Sequence, residues 1–254
     1  MMIIKTIPSL FTVGNLLLGI LAILLAVQND PRYIDYAAIL VIIGMVLDGL
    51  DGRVARMLNA ASDFGKELDS LSDIVTFGVA PSLLMYLVAL ERMGPWGILI
   101  TVLFPICGAL RLARFNVQPG VPGFFVGLPI TIAGGVLATF AFYHTVFPFW
   151  FLPAGMILLS LLMVSRIKYP NFKKTAVSRA LFWVTPLIIG SVALLAYRYP
   201  SQFPKIVFIP LAAYAIYGIK KSLDQLWSNQ VKRKRQERRL NREERLSKKI
   251  GEKG

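Results

Sequence analysis

Residues 47–73 read LDGLDGRVARMLNAASDFGKELDSLSD. The flanking stretches, AAILVIIGMV before and IVTFGVAPSLLMYLVAL after, are apolar enough to sit in lipid. Five aspartates, Asp48, Asp51, Asp63, Asp69 and Asp73, nevertheless fall within 26 residues. One charged side chain at membrane depth costs about 2.5–3.5 kcal/mol on insertion scales. Several together need either the membrane interface or a cation among them. Asp48 and Asp51 are three apart, and Asp69 and Asp73 are four apart, so each pair projects from one side of a helix. The short connection near 57–66 makes the two helices antiparallel neighbours, and four carboxylates then converge. Hard oxygen ligands of this kind suit Mg²⁺, Mn²⁺ or Ca²⁺. Asp63, just after Ser62, reads as a turn or helix-cap residue.

The rest of the stretch fits a phosphate ligand. Gly52 follows Asp48 by four residues, Ala55 follows Asp51 by four, and Arg56 follows Gly52 by four. Small residues beside the carboxylates leave room for a ligand, and Arg56 offers a permanently charged fork to phosphate oxygens. Gly65 opens space near Asp69. Divalent ions bridging phosphate oxygens, with an arginine nearby, characterise phosphoryl-transfer sites.

The whole chain of 254 residues is 56% hydrophobic, with mean hydropathy +0.61; a soluble domain is about 45–50% apolar. The excess falls into runs of roughly the 20 residues a helix needs to cross a hydrocarbon core. Spans are expected over 9–27, 34–57, 66–90, 95–115, 124–146, 149–165, 179–197 and 204–220; the sixth and eighth are short, so the count is seven or eight. The fold class is therefore all-α, a multi-pass transmembrane bundle. The N-terminal run reads as a retained span rather than a cleaved signal. Cys107 has no second cysteine to pair with and reads as a small buried hydrophobe. The single histidine, His144, reads as an interfacial polar residue, which argues against histidine acid–base or zinc chemistry.

Lys and Arg set the orientation. Arg53 and Arg56, Arg111 and Arg114, the segment 166–179, and residues 220–254 all fall on one side if eight spans exist; the opposite loops carry few basic residues. Both termini then face the cytoplasm. Residues 220–254 hold 13 Lys and Arg against 5 acids. Docking on anionic lipid is the expected use of that tail. With Trp227 as its one aromatic residue it lacks stacking surfaces for nucleic acid.

Asp48, Asp51, Gly52, Ala55, Arg56, Gly65, Asp69 and Asp73 fill every fixed position of D-x2-D-G-x2-A-R-x8-G-x3-D-x3-D. This signature resembles that of the CDP-alcohol phosphotransferase family. The resemblance implies a six-helix membrane core over residues 1–170, a homodimer, and release of CMP from a CDP-linked donor by an alcohol. Residues 171–220 would add two further spans, and 221–254 the basic cytoplasmic tail. Carried across, Asp48, Asp51, Asp69 and Asp73 would hold one or two Mg²⁺ or Mn²⁺ ions, with Ca²⁺ also accommodated. Asp73 would also be the general base, and Asp51, Gly52, Ala55, Arg56 and Gly65 would line the CDP site.

The stretches IPSLFTVGNLLLGILAI, LDSLSDIVTFGVAPSLL, ICGALRLARFNV, FFVGLPIT and KYP are similar to the serine-using branch of that family. CDP-diacylglycerol and L-serine are then the expected substrates, in a prokaryotic cytoplasmic membrane. Arg111 and Arg114, three apart at the end of span four, with Asn116 beside them, are candidates for the serine carboxylate. Thr12 and Asn15 are candidates for nucleotide contact or plain helix packing. Phe125, Gly127, Leu128, Pro129 and Thr131 are expected to shape a neighbouring pocket. Glycerol 3-phosphate and inositol phosphate are the rival acceptors, expected to want a denser basic cluster. A divalent-cation carrier is the rival outside catalysis; it has no use for Arg56.

Overall fold

The computed structural model describes residues 2–28, 30–58, 60–117 and 124–170, together with residues 213 and 220. The expected seventh and eighth spans and the basic tail lie outside the described residues. Six α-helices are described: α1 (Met2–Ala26), α2 (Pro31–Met57), α3 (Asp63–Val88), α4 (Pro95–Val117), α5 (Ile130–Phe142) and α6 (Phe151–Val164). The protein is an all-α, multi-pass integral membrane protein. α1 over Pro8–Ala26 and the whole of α2, α3 and α4 are long and apolar enough to cross a bilayer. α1 lies along α2 and α3, α2 and α3 pack on α5, and α4 packs on α6.

Local chemistry sets the helix ends. Asp30 caps α2, accepting the Arg32 N–H at 2.9 Å, and Pro31 occupies the first helical position, where no N–H is needed. Ser62 caps α3, accepting the Gly65 N–H at 3.1 Å. The cap is thus Ser62, and Asp63 is the acidic residue of the first turn, where the helix dipole favours it.

Inside α3, Ile74–Val79 form a π-helical turn directly after Asp73, closed by the Ala80 N–H on the Val75 carbonyl. Thr76 in this turn donates to the Asn15 carbonyl of α1 at 2.9 Å. Phe77 is fully buried, and its backbone lies so close to α5 that a Cβ on Gly134 would collide with it. Glycine at 134 is what lets the widened turn seat against α5.

The core is apolar, with Phe77, Leu84, Met85, Phe104, Leu137 and Met156 fully buried. The outward faces are apolar too: Leu10, Leu17 and Leu24 on α1 and Ile98, Val102 and Leu110 on α4 are all exposed. Apolar residues inside and outside are the pattern of a protein solvated by lipid.

The fifth span is shorter than the apolar run 124–146 implied. Phe124–Val126 (β1) is extended and pairs antiparallel with Lys168–Pro170 (β2), Phe125 opposite Tyr169. Gly127 follows at φ +80°, which a residue with a side chain adopts only under strain, and Pro129 precedes the first residue of α5. The apolar residues of β1 mimic a helix in hydropathy while the backbone is extended. Cys107 is a free, buried cysteine on α4, and His144 Nδ1 lies 2.8 Å from the Ala141 carbonyl at the end of α5.

Candidate active site

The helix ends near residues 57, 63, 117 and 130 gather at one end of the bundle. α2 delivers Asp48 and Asp51 there, and α3 delivers Asp69 and Asp73. One carboxylate oxygen each from Asp48, Asp51 and Asp69 lies within 4.8 Å of the others. Asp73 stands outside that trio, one turn further along α3. Asp51 and Asp73 are only 5% and 6% exposed, whereas Asp48 and Asp69 are half-buried. The i, i+3 and i, i+4 spacings thus bring two elements to one point.

Like charges this close oppose one another. Two unit charges 4.8 Å apart repel by about 3.5 kcal/mol at an effective dielectric of 20. Part of the answer is donors: Thr12 Oγ1 donates to Asp51 Oδ2 at 2.9 Å, and Thr131 Oγ1 donates to Asp48 Oδ2 at 3.3 Å. Arg111, 6% exposed, acts electrostatically on Asp73. Asp73 Oδ1 is buried with no hydrogen-bond donor among the described residues.

These features fit a divalent cation. The donors are carboxylate oxygens from two helices, gathered tightly, with a buried oxygen of Asp73 beside them. Asp48, Asp51 and Asp69 are the residues that could hold it.

Gly52 and Ala55 are half-buried on the same helix, and Arg56 is exposed. A Cβ on Gly52 would lie 3.5 Å from Arg56 Nη1, so the guanidinium folds back over Gly52. Gly65 belongs to the first turn of α3, against the Ser62 cap. A basic fork, a surface without side chains and the carboxylate cluster are therefore contiguous along the C-terminal end of α2.

The three candidates at the end of α4 separate in the structure. The Arg111 guanidinium sits 5.7 Å from the Phe115 ring centroid. Arg114 instead donates to four backbone carbonyls: Val164 at 2.9 Å through Nη1, and Val126, Met163 and Ser165 at 3.2–3.3 Å through Nη2. Asn116 Nδ2 donates to Ser70 Oγ at 3.0 Å and to Glu67 at 3.4 Å, while Lys66 Nζ donates to the Asn116 carbonyl at 3.2 Å. Asn116 thus ties the end of α4 to the start of α3.

Sequence reasoning left the polar seam of α1 and α3 without a defined role. Ser72, fully buried, donates to the Thr12 carbonyl at 3.0 Å, and Thr76 holds the Asn15 carbonyl. Both amide atoms of Asn15 are buried without a hydrogen-bond partner among the described residues. A run of Thr and Ser at helical spacing inside apolar helices was the available signal. Thr12 carries the link to Asp51.

A family model described as CDP-alcohol phosphatidyltransferase matches residues 5–166. The chain is 46% identical over 171 residues to the CDP-diacylglycerol–serine O-phosphatidyltransferase of Bacillus subtilis (strain 168), covering 67% of this chain and 93% of that protein. It is 38% identical over 221 residues to the protein of the same name from Helicobacter pylori (strain ATCC 700392 / 26695), covering 84% and 89%. It is also 38% identical over 178 residues to the archaetidylserine synthase of Methanothermobacter thermautotrophicus, covering 68% and 73%.

Proposed function

Because the chain belongs to the CDP-alcohol phosphatidyltransferase family, we propose that it transfers the phosphatidyl group of CDP-diacylglycerol to the hydroxyl of L-serine, giving phosphatidylserine and CMP. The observation that carries this reading is the convergence of Asp48, Asp51 and Asp69 from two helices within 4.8 Å, next to the buried Asp73. Relatives that bear the name of the serine enzyme support the acceptor.

Asp48, Asp51 and Asp69 would hold one or two divalent ions, Mg²⁺ or Mn²⁺, with Asp73 alongside. Such an ion, when bound, neutralises pyrophosphate charge and stabilises the departing CMP. Arg56 and the open surface of Gly52 and Ala55 receive the CDP phosphates, with Gly65 across the gap. Arg111 pairs with the serine carboxylate. Arg114 and Asn116 flank that site while engaged with backbone carbonyls and with α3. Asp73 accepts the proton of the serine hydroxyl as its oxygen bonds to the diacylglycerol-bearing phosphorus. The bond from that phosphorus to the CMP oxygen breaks, and CMP leaves with the electron pair. Asp73 is 6% exposed, so little bulk water reaches the base itself.

Residues 1–170 form the catalytic core in this reading, with 171–220 adding two spans and 221–254 a basic tail. The site and both termini face the cytoplasm of a prokaryotic cell, and the enzyme is a homodimer. The test is CMP release from CDP-diacylglycerol by the purified protein with Mn²⁺ or Mg²⁺, offering L-serine, glycerol 3-phosphate and inositol phosphate separately. Release with serine alone, abolished by EDTA, is the expected result. Release with a phosphorylated acceptor instead would replace serine and the role given to Arg111. Metal flux in proteoliposomes without CDP-lipid turnover would replace the enzyme by a carrier.

A further inference from the structure

Asp48 receives a hydrogen bond from a residue 83 positions away, Thr131, the second residue of α5. α5 packs on α2 and α3, and its first turn after Pro129 has no side-chain cap. The turn before that first turn is pinned separately. The Gly127 N–H donates to the Ile167 carbonyl at 2.8 Å, and the Leu128 N–H to the Leu162 carbonyl at 3.1 Å. Arg114 closes the same junction from α4, bridging the Val126 carbonyl to the last carbonyls of α6.

Two features mark this as a built clasp. A helix end leaves its last carbonyls unsatisfied, and the planar, permanently charged fork of Arg114 meets several of them at once. Gly127, at φ +80°, is where β1 turns toward α5. A Cβ there would lie 2.8 Å from Arg114 Nη2 and would collide with the Met163 carbonyl.

We propose that Arg114 and Thr131 are positioning residues for Asp48: Arg114 locks the turn at 126–129 onto α6, and Thr131 thereby holds Asp48 Oδ2. The hydroxyl takes up a lone pair of one oxygen and sets the plane of the carboxylate. One carboxylate oxygen of Asp48 lies within 4.8 Å of one each from Asp51 and Asp69. The inference rests on the proposed metal site and assigns Arg114 a task other than binding serine.

The test is Mn²⁺ binding to the full-length protein in detergent, read from the loss of the free-ion electron paramagnetic resonance signal. No substrate is present, so turnover does not enter. Thr131→Val should weaken Mn²⁺ binding about 10–100-fold, the usual loss when a partner of a metal ligand is removed. Thr131→Ser should keep the wild-type affinity. Arg114→Lys retains the charge but not the fork, and should weaken Mn²⁺ in the same direction. The double variant should bind no worse than the weaker single one, since both act on one oxygen. Wild-type affinity in Thr131→Val, or equal weakening in Thr131→Ser, overturns the proposal. If Arg114→Lys raises KM for serine and leaves Mn²⁺ binding intact, Arg114 is a substrate ligand and the clasp is wrong. If Arg114→Lys does not fold, the two Thr131 variants decide. A wild-type protein that binds no Mn²⁺ overturns the metal reading itself, and this inference with it.

Discussion

The Thr12 hydroxyl donates to Asp51 Oδ2 across 2.9 Å, joining α1 to the carboxylate cluster over 39 residues of sequence. Asp51 is 5% exposed, so little water can replace that donor. Thr12→Val keeps the shape and removes the hydrogen bond. Activity should fall about 10–100-fold, and Thr12→Ser should restore it. Initial rates of CMP release check this, and a fully active Thr12→Val would show that Asp51 needs no donor.

Asp73 is buried beside the trio without belonging to it. Asp73→Asn should keep CDP-diacylglycerol binding and lose about 10²–10⁴-fold in turnover, the contribution of a positioned general base. Equilibrium binding of the lipid and single-turnover rates separate the two quantities. Near-normal turnover would remove Asp73 as the base.

Arg111 is 6% exposed and acts on Asp73. Arg111→Gln should raise KM for L-serine about tenfold to a hundredfold, since a charge-assisted hydrogen bond contributes about 1.5–3 kcal/mol. KM for CDP-diacylglycerol should stay unchanged. A rise confined to the lipid substrate would move Arg111 from the acceptor side of the site to the donor side.

Chelation should act on stability as well as on rate. Because the clustered carboxylates repel, a cation bound only by the folded state raises its stability by mass action. Removing divalent ions with EDTA should lower the thermal midpoint in detergent, and Mn²⁺ in excess should restore it. An unchanged midpoint, with Mn²⁺ binding shown independently, would mean that the cluster is stable without the ion.

Gly134→Ala tests the fold apart from the chemistry. Its Cβ would meet the Phe77 backbone in the π-helical turn. A loss of about 1–3 kcal/mol in stability is expected from such overpacking, measured by unfolding in mixed micelles. A neutral outcome would mean that α3 and α5 can separate at no cost.

Much of the site was legible because its grammar is helical. The spacings 48–51 and 69–73 place each pair on one face, and the brief connection at 58–62 makes the two helices neighbours. The apolar runs announced a bundle solvated by lipid for a similar reason: hydropathy over about 20 residues reads a solvent, whatever the packing. The same measure misread 124–129, where apolar residues form β1 and a glycine turn, because hydropathy does not distinguish an extended backbone from a helical one. The π-helical turn after Asp73 carried no sequence signal; its close approach to Gly134 on α5 is a contact between distant segments.

The arginines at the end of α4 show the division most directly. Both were visible as basic residues three apart at the end of a span. Only the folded chain set their partners, stacking Arg111 near Phe115 and turning Arg114 toward four carbonyls of β1 and the end of α6. The sequence by itself determined the membrane class and the aspartate pairs, because periodicity acts over a few residues of one helix. The tertiary structure alone decided that Thr12 and Thr131 would hold Asp51 and Asp48. Those contacts require backbones 39 and 83 residues apart to meet within a hydrogen-bond length, and only the packing of whole helices brings such distant backbones together.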